Sequence, residues 1–144
     1  MILVDVNVLV YACRRDAQRH GEFKAWLSET LGGAEAVGIA PESLAAVIRI
    51  TTHARIWKAP LTLEQALAFT TAVRSAPTVV PVLPGPNHWR LFETLCKESG
   101  VRGNLVSDAW IAALAIEQGC TLMTTDRDFA RFRGLRSEHP LSDA

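Results

Sequence analysis

The sequence predicts an α/β fold: a single domain, residues 1–144, with a mainly parallel central sheet flanked by helices on both sides. Three observations predict it. Short continuous apolar runs alternate with longer amphipathic stretches, the pattern of buried parallel strands and the helices that cover them. Acidic residues recur where strands end or helices begin: Asp5, Glu42, Asp108 and Asp126. No internal repeat, low-complexity segment or linker long enough for a second domain interrupts the pattern.

The elements follow in order. Residues 2–6 read as the first strand. Residues 17–31 read as a helix with Phe23, Trp26, Leu27 and Leu31 on one face, stopped by Gly32-Gly33. Residues 37–40 are a second strand, and residues 41–56 a helix with Pro41 in its first turn. Residues 62–75 form a helix with Thr62 as N-cap, Gln65 completing a capping box, and Pro77 stopping it. Residues 79–83 are a strand that Pro81 restricts to a short or edge position. Pro86-Asn87 begins a helix ending near Gly100, and Asn104 or Ser107 caps the next, which runs to Gly119. Residues 121–125 are a strand, with a last short strand near 135–138.

Bulk properties exclude several classes. The 144 residues are 49% hydrophobic, enough for a core, and carry a formal net charge of zero, so no overall basic field argues for nucleic acid. Arginine is instead clustered, at Arg14, Arg15 and Arg19 and at Arg127, Arg131, Arg133 and Arg136, where Arg14, Arg15, Arg127 and Arg131 could hold a phosphate backbone. No apolar run approaches a membrane span, and Met-Ile-Leu-Val-Asp lacks the basic start of a signal peptide. Cys13, Cys96 and Cys120 have no metal-ligand spacing and fit buried thiols in a reducing cytosol. The four histidines show no zinc spacing, and glycine-rich phosphate loops and a nucleophile elbow are absent. Trp57 and Trp89 are candidates for a partner surface or for the core.

The acids carry the chemistry. In an open α/β sheet, ligands bind beyond the carboxyl ends of the strands, so four carboxylates distant in sequence converge there. Clustered carboxylates repel one another unless a cation neutralises them, and an all-oxygen site suits Mg²⁺ or Mn²⁺. Asp5 ends the first strand, and in strand geometry Asn7 faces the same side, placed to orient a carboxylate or a water. Asp108 lies in the first turns of its helix, favoured by the helix dipole. Asp126 and Asp128 both suit the cap of a short helix; Asp128 is the stronger cap and Asp126 the better metal candidate, with Thr124 and Thr125 as hydroxyls that orient it. Glu42 shares a helix face with Ala46, Arg49 and His53, and Arg49 is placed to pair with a site carboxylate or another segment.

The ordered set Asp5-Val-Asn7, Glu42, Asn104-Leu-Val-Ser-Asp108-Ala-Trp-Ile-Ala-Ala-Leu-Ala and Thr-Thr-Asp126-Arg-Asp-Phe resembles the PIN domain. More narrowly it resembles the VapC toxins of bacterial toxin–antitoxin pairs, in a subgroup abundant in mycobacteria; Arg49-Ile-Thr-Thr-His53 and Pro84-Gly-Pro-Asn-His-Trp89 add to the likeness. The resemblance implies a Mg²⁺- or Mn²⁺-dependent endoribonuclease, a homodimer, a cognate VapB-type antitoxin and a cytoplasmic location. By motif, Asp5 and Asp108 match the family's principal metal ligands, Asp126 its fourth acid and Asn7 its polar neighbour. One position departs: the family's second acid falls at Ala46, and Glu42, one turn earlier, is the substitute. Hydrolysis by a metal-activated water would leave a 5′-phosphate and a 3′-hydroxyl. Two other readings stand beside this one. A catalytically silent PIN-like scaffold would bind RNA or a partner. A receiver-type signalling domain would share the acidic Mg²⁺ pocket but needs a phosphoacceptor after a middle strand.

Overall fold

The computed structural model describes residues 1–142, so positions 143 and 144 of the expected domain lie outside the described residues. Strand β1 (Ile2–Val4) is the middle of a five-stranded sheet. The order is β3-β2-β1-β4-β5, with β2 at Val37–Ile39, β3 at Val79–Pro81, β4 at Thr121–Met123 and β5 at Ser137–Glu138. Every pairing is parallel. The chain moves outward from β1 to β2 and β3, then returns to lay β4 on the other side of β1. The point where the winding reverses therefore lies between β1 and β4.

Six helices cover the two faces: α1 (Val6–Cys13), α2 (His20–Leu31), α3 (Pro41–Thr51), α4 (Leu63–Ser75), α5 (His88–Ser99) and α6 (Asn104–Gln118). Side-chain alternation along β1 explains the division. Val4 packs with Val8, Leu9, Phe23, Leu27, Leu44 and Val47 from α1 to α3. Leu3 packs with Leu95, Ala109, Ala112, Ala113 and Leu122 on the opposite face, against α5 and α6. The alanines of α6 are fully buried and let that helix approach the sheet closely.

Gly38 is the tightest point of the sheet. A Cβ there would stand 2.7 Å from Val82 Cγ2 and 2.8 Å from the Ile2 carbonyl oxygen. Only a residue without a side chain lets β2 lie flat against β1 beneath Val82.

The sheet and the flanking helices match the expected class; several local expectations do not. The first strand stops at Val4, and residues 6–13 form α1, a helix the sequence reading lacked. Its run Val-Asn-Val-Leu-Val-Tyr-Ala-Cys is apolar nearly all round, because four of its residues are buried; such a run has no helical stripe to recognise. Asn7 thus sits on a helix and not on a strand. The next helix begins at His20 instead of residue 17, because Arg19 takes a left-handed conformation (φ 57°) that breaks the run. Helix α3 ends at Thr51, not residue 56: the Thr51 and Thr52 hydroxyls donate back to the Val47 and Ile48 carbonyls at 2.8 and 2.7 Å, and the chain then turns. The capping box of α4 is present, with Thr62 and Gln65 each accepting from the other's backbone N–H, and β3 is an edge strand.

Arg14 is a structural residue. It is 4% exposed, its guanidinium donates to both Asp16 oxygens at 2.9 and 2.6 Å and to the Ala59 carbonyl at 2.9 Å, and it lies 4.2 Å above the Trp57 ring. It ties the turn after α1 to the loop before α4 and is withdrawn from phosphate binding. Cys120 is buried, whereas Cys13 and Cys96 are only half-buried; all three are free thiols. Among the described residues no helix is long and apolar enough to cross a membrane.

Candidate active site

Asp5 leaves β1, Glu42 follows β2, and Asp126 follows β4. All three therefore emerge at the carboxyl edge of the sheet, and Asp5 and Asp126 flank the winding reversal. Asp108 reaches the same place from α6. These four acids line one open cavity of about 510 Å³ together with Asn7, Ala46, Arg49, Phe92 and Trp110.

The local sequence fixes each acid differently. Asp5 is buried and caps α1, its Oδ1 accepting from the Val6 N–H at 2.8 Å. Its Oδ2 accepts from the Thr124 hydroxyl at 2.7 Å. The same hydroxyl accepts from the Asp126 N–H at 3.0 Å, so one side chain links the ends of β1 and β4. Asp126 caps the 3₁₀ turn Arg127–Arg131, accepting from the Asp128 N–H at 2.8 Å. The cap is thus Asp126, where the sequence favoured Asp128. Thr124, not Thr125, orients the carboxylate; Thr125 lies in a neighbouring cleft with Arg127 and His139. Asp128 is exposed; its backbone N–H holds Asp126, and its carboxylate lies 3.7 Å from Arg131.

Neither Asn104 nor Ser107 caps α6. Gly103 does, at φ 63° and ψ −134°, a conformation that glycine adopts without strain. Asp108 consequently sits in the second turn of α6, and no acid lies in the first. Its position owes nothing to the helix dipole, which decays within one turn.

Electrostatics mark the site as short of positive charge. The Asp108 carboxyl is pushed from 3.8 to about 6, chiefly by burial, then by the negative charges of Asp126, Asp5 and Asp128. Burial also raises Asp5, opposed by its hydrogen bonds from Thr124 and Val6. None of the four cavity acids forms an ion pair among the described residues. An all-oxygen donor set with mutually raised carboxyls fits a hard divalent cation. No three His, Cys, Asp or Glu side chains among the described residues are arranged to hold such an ion unaided. That suits Mg²⁺, which keeps several waters and takes only one or two carboxylates beside substrate phosphate.

The expected arginines fall elsewhere. Arg15 lines a different groove with His20 and Lys24 and Arg127 the neighbouring cleft; Arg131 does not line the cavity and donates to the Asp128 carbonyl at 3.1 Å, but its charge reaches Asp108 and partly offsets the rise of that carboxyl. The cavity's own cation is Arg49, whose guanidinium has no hydrogen-bond or ion-pair partner among the described residues. The sequence had Arg49 on the correct helix face and expected a paired role. Phe92 and Trp110 form an apolar wall that nothing in the spacing singled out, since aromatic residues on helices ordinarily read as core.

Comparison with known proteins gives these features a family. Residues 2–135 match the family described as PIN domain. Ribonuclease VapC43 of Mycobacterium tuberculosis is 38% identical over 141 residues, covering 98% of this chain and 96% of that protein. Ribonuclease VapC25 of the same organism is 37% identical over 140 residues, covering 97% and 99%. Among solved structures, VapC20 of M. tuberculosis, a sarcin–ricin loop cleaving toxin, superposes with a TM-score of 0.67 at 20% identity, over 94% of this chain and 99% of that one. VapBC-1 from nontypeable Haemophilus influenzae gives 0.68 at 17% identity, over 99% and 100%. The receiver-type reading falls away with this match, and β3 leads only into Val82-Leu83-Pro84, with no phosphoacceptor. With its acids gathered at the winding reversal and relatives matched along nearly its whole length, the chain belongs to the PIN-domain family and, within it, to the VapC ribonucleases.

Proposed function

We propose that this chain is the toxin of a VapBC-type pair, an endoribonuclease that hydrolyses RNA phosphodiester bonds with a divalent metal. The observation that carries the reading is the convergence of Asp5, Glu42, Asp108 and Asp126 on one cavity without a neutralising ion pair. PIN ribonucleases depend in general on a divalent metal; for this chain Mg²⁺ or Mn²⁺ fits the donor set and would be held by Asp5 and Asp108, with Glu42 and Asp126 completing the shell through waters. Bound there, the ion lowers the pKa of water and offsets phosphate charge.

The chain's own groups do the rest. Thr124 and the Val6 N–H fix both oxygens of Asp5, and the Asp128 N–H fixes Asp126. Preset acceptors of this kind avoid reorganisation during reaction. Asn7 presents an amide to the cavity for a water or a phosphate oxygen. Arg49 supplies a cation for the RNA backbone, and Phe92 and Trp110 offer faces for an unstacked base. A VapB-type antitoxin, a homodimer and a cytoplasmic site of action are proposed from family membership; VapBC complexes occur among the structural relatives.

The test is cleavage of a cellular RNA pool by purified protein with Mg²⁺, Mn²⁺ or EDTA. Metal-dependent cuts bearing 5′-phosphates are expected. A 2′,3′-cyclic phosphate product overturns the water mechanism, and folded protein that cuts nothing with either metal leaves the silent RNA-binding scaffold.

Arg49 has its own signature. In an Asp108→Asn background, Arg49→Ala is expected to weaken single-stranded RNA binding and to reduce the slope of log K against log salt by about 0.7, the value of one phosphate contact. An unchanged slope in a salt titration removes Arg49 from the RNA path.

A further inference from the structure

Glu42 and Ala46 lie one turn apart on α3, and both line the cavity. The Glu42 side chain is flexible and exposed, so a working direction requires something to hold it. Free rotamers disperse a carboxylate, and fixing such a chain costs side-chain entropy.

The holding group is on the opposite wall. The Trp110 indole Nε1–H donates to Glu42 Oε1 at 3.1 Å. Trp110 itself has little freedom. His88, which is 1% exposed, meets its ring edge-on at 4.2 Å between centroids, Phe92 packs at 5.3 Å and Trp89 at 6.2 Å. The His88 Nε2 also lies 3.0 Å from the Trp110 carbonyl oxygen, so it carries the proton in that bond. An indole clamped by three rings aims its single N–H at one carboxylate oxygen and leaves the other free.

We infer that Trp110 is a positioning residue for the metal site: its indole N–H holds Glu42 over the cavity and so ties the acid of α3 to α6, the helix that carries Asp108. The inference rests on the metal-dependent nuclease reading proposed above. It assigns a role to the aromatic wall that substrate stacking does not need, since stacking uses ring faces and not the N–H.

The test measures Mn²⁺ binding to the purified protein by electron paramagnetic resonance of the free ion, without RNA. The variants are Trp110→Phe, Glu42→Ala, the double variant and Asp108→Asn. Trp110→Phe keeps an aromatic ring and loses the donor; it is expected to weaken Mn²⁺ about 10-fold, the low end for partners behind a ligand. Glu42→Ala weakens it at least as much, and the double variant binds no more weakly than Glu42→Ala. Equal affinity in wild type and Trp110→Phe overturns the role of Trp110 alone, as does an additive loss in the double variant. A wild type that binds no Mn²⁺, like Asp108→Asn, overturns both this inference and the metal reading beneath it. Should Trp110→Phe fail to fold, the wild-type ring still reports: its indole N–H resonance is expected to shift in Glu42→Ala and to broaden on adding Mn²⁺. A resonance unmoved by either overturns the inference.

Discussion

Asp108→Asn is expected to abolish RNA cleavage and, in the same protein, to raise the melting temperature of the metal-free form at neutral pH. On the proposed reading Asp108 is a direct ligand, whose loss exceeds the 10–100-fold that partners behind a ligand typically cost, so cleavage should drop by more than about 100-fold. The gain in stability follows from the raised carboxyl. Asp108 titrates at about 6 in the fold against 3.8 unperturbed, so the fold favours its protonated form. That contribution is fully present below about 3.8, fades as pH rises, and is gone above about 6, where the ionised group faces Asp126 and Asp5 in a partly buried site. Asparagine keeps the shape without the charge. The variant's advantage should therefore open between about pH 3.8 and 6 and hold above that range in EDTA, and Mg²⁺ or Mn²⁺ should narrow it by stabilising wild type alone. Calorimetry across that pH range decides it. A variant that melts lower than wild type at every pH sinks the account of the shift.

Gly38→Ala is expected to cost about 1–3 kcal/mol, the range for overpacking a filled core. The added methyl would stand 2.7 Å from Val82 Cγ2 and 2.8 Å from the Ile2 carbonyl oxygen. The second contact is with backbone that cannot withdraw, because β1 is held on its other side by β4 through Ile2, Leu3 and Val4. Adding Val82→Ala should recover part of the loss by relieving the first contact only. Urea unfolding of the two variants measures both effects; full recovery in the double variant would show that the sheet backbone is more compliant than the spacing implies.

Much of this architecture could be read from the chain because local and global signals agree. The capping box at Thr62 and Gln65, the Pro81 edge strand and the acids after β1, β2 and β4 are each local consequences of where the element lies. The failures share one cause. Helix α1, the left-handed Arg19 and the Gly103 cap depend on what packs around them, and a single residue's propensity does not report that. The site divides in the same way. Asp5, Glu42 and Asp126 were legible as one group because each follows a strand, and Asp108 as an acid early in a helix. Thr124 rather than Thr125, the burial of Arg14 against Trp57 and Ala59, and the Trp110–Glu42 bond depend on contacts between residues tens of positions apart, up to 119 for Asp5 and Thr124. The guanidinium of Arg49 is another such case, since only the folded cavity shows that no carboxylate among the described residues answers it.

That last separation has a consequence for synthesis. The hydroxyl that locks Asp5 arrives 119 residues after it, and β4, which seats beside β1, arrives with it. A nascent chain still missing residues 121–126 has Asp5 and Glu42 but neither the lock nor Asp126, and its central strand has one open edge. Long-range pairing of this kind is slow to form and comes late. A chain still short of residues 121–126 therefore lacks the lock and one of the four acids, and the cavity is complete only once β4 has paired with β1.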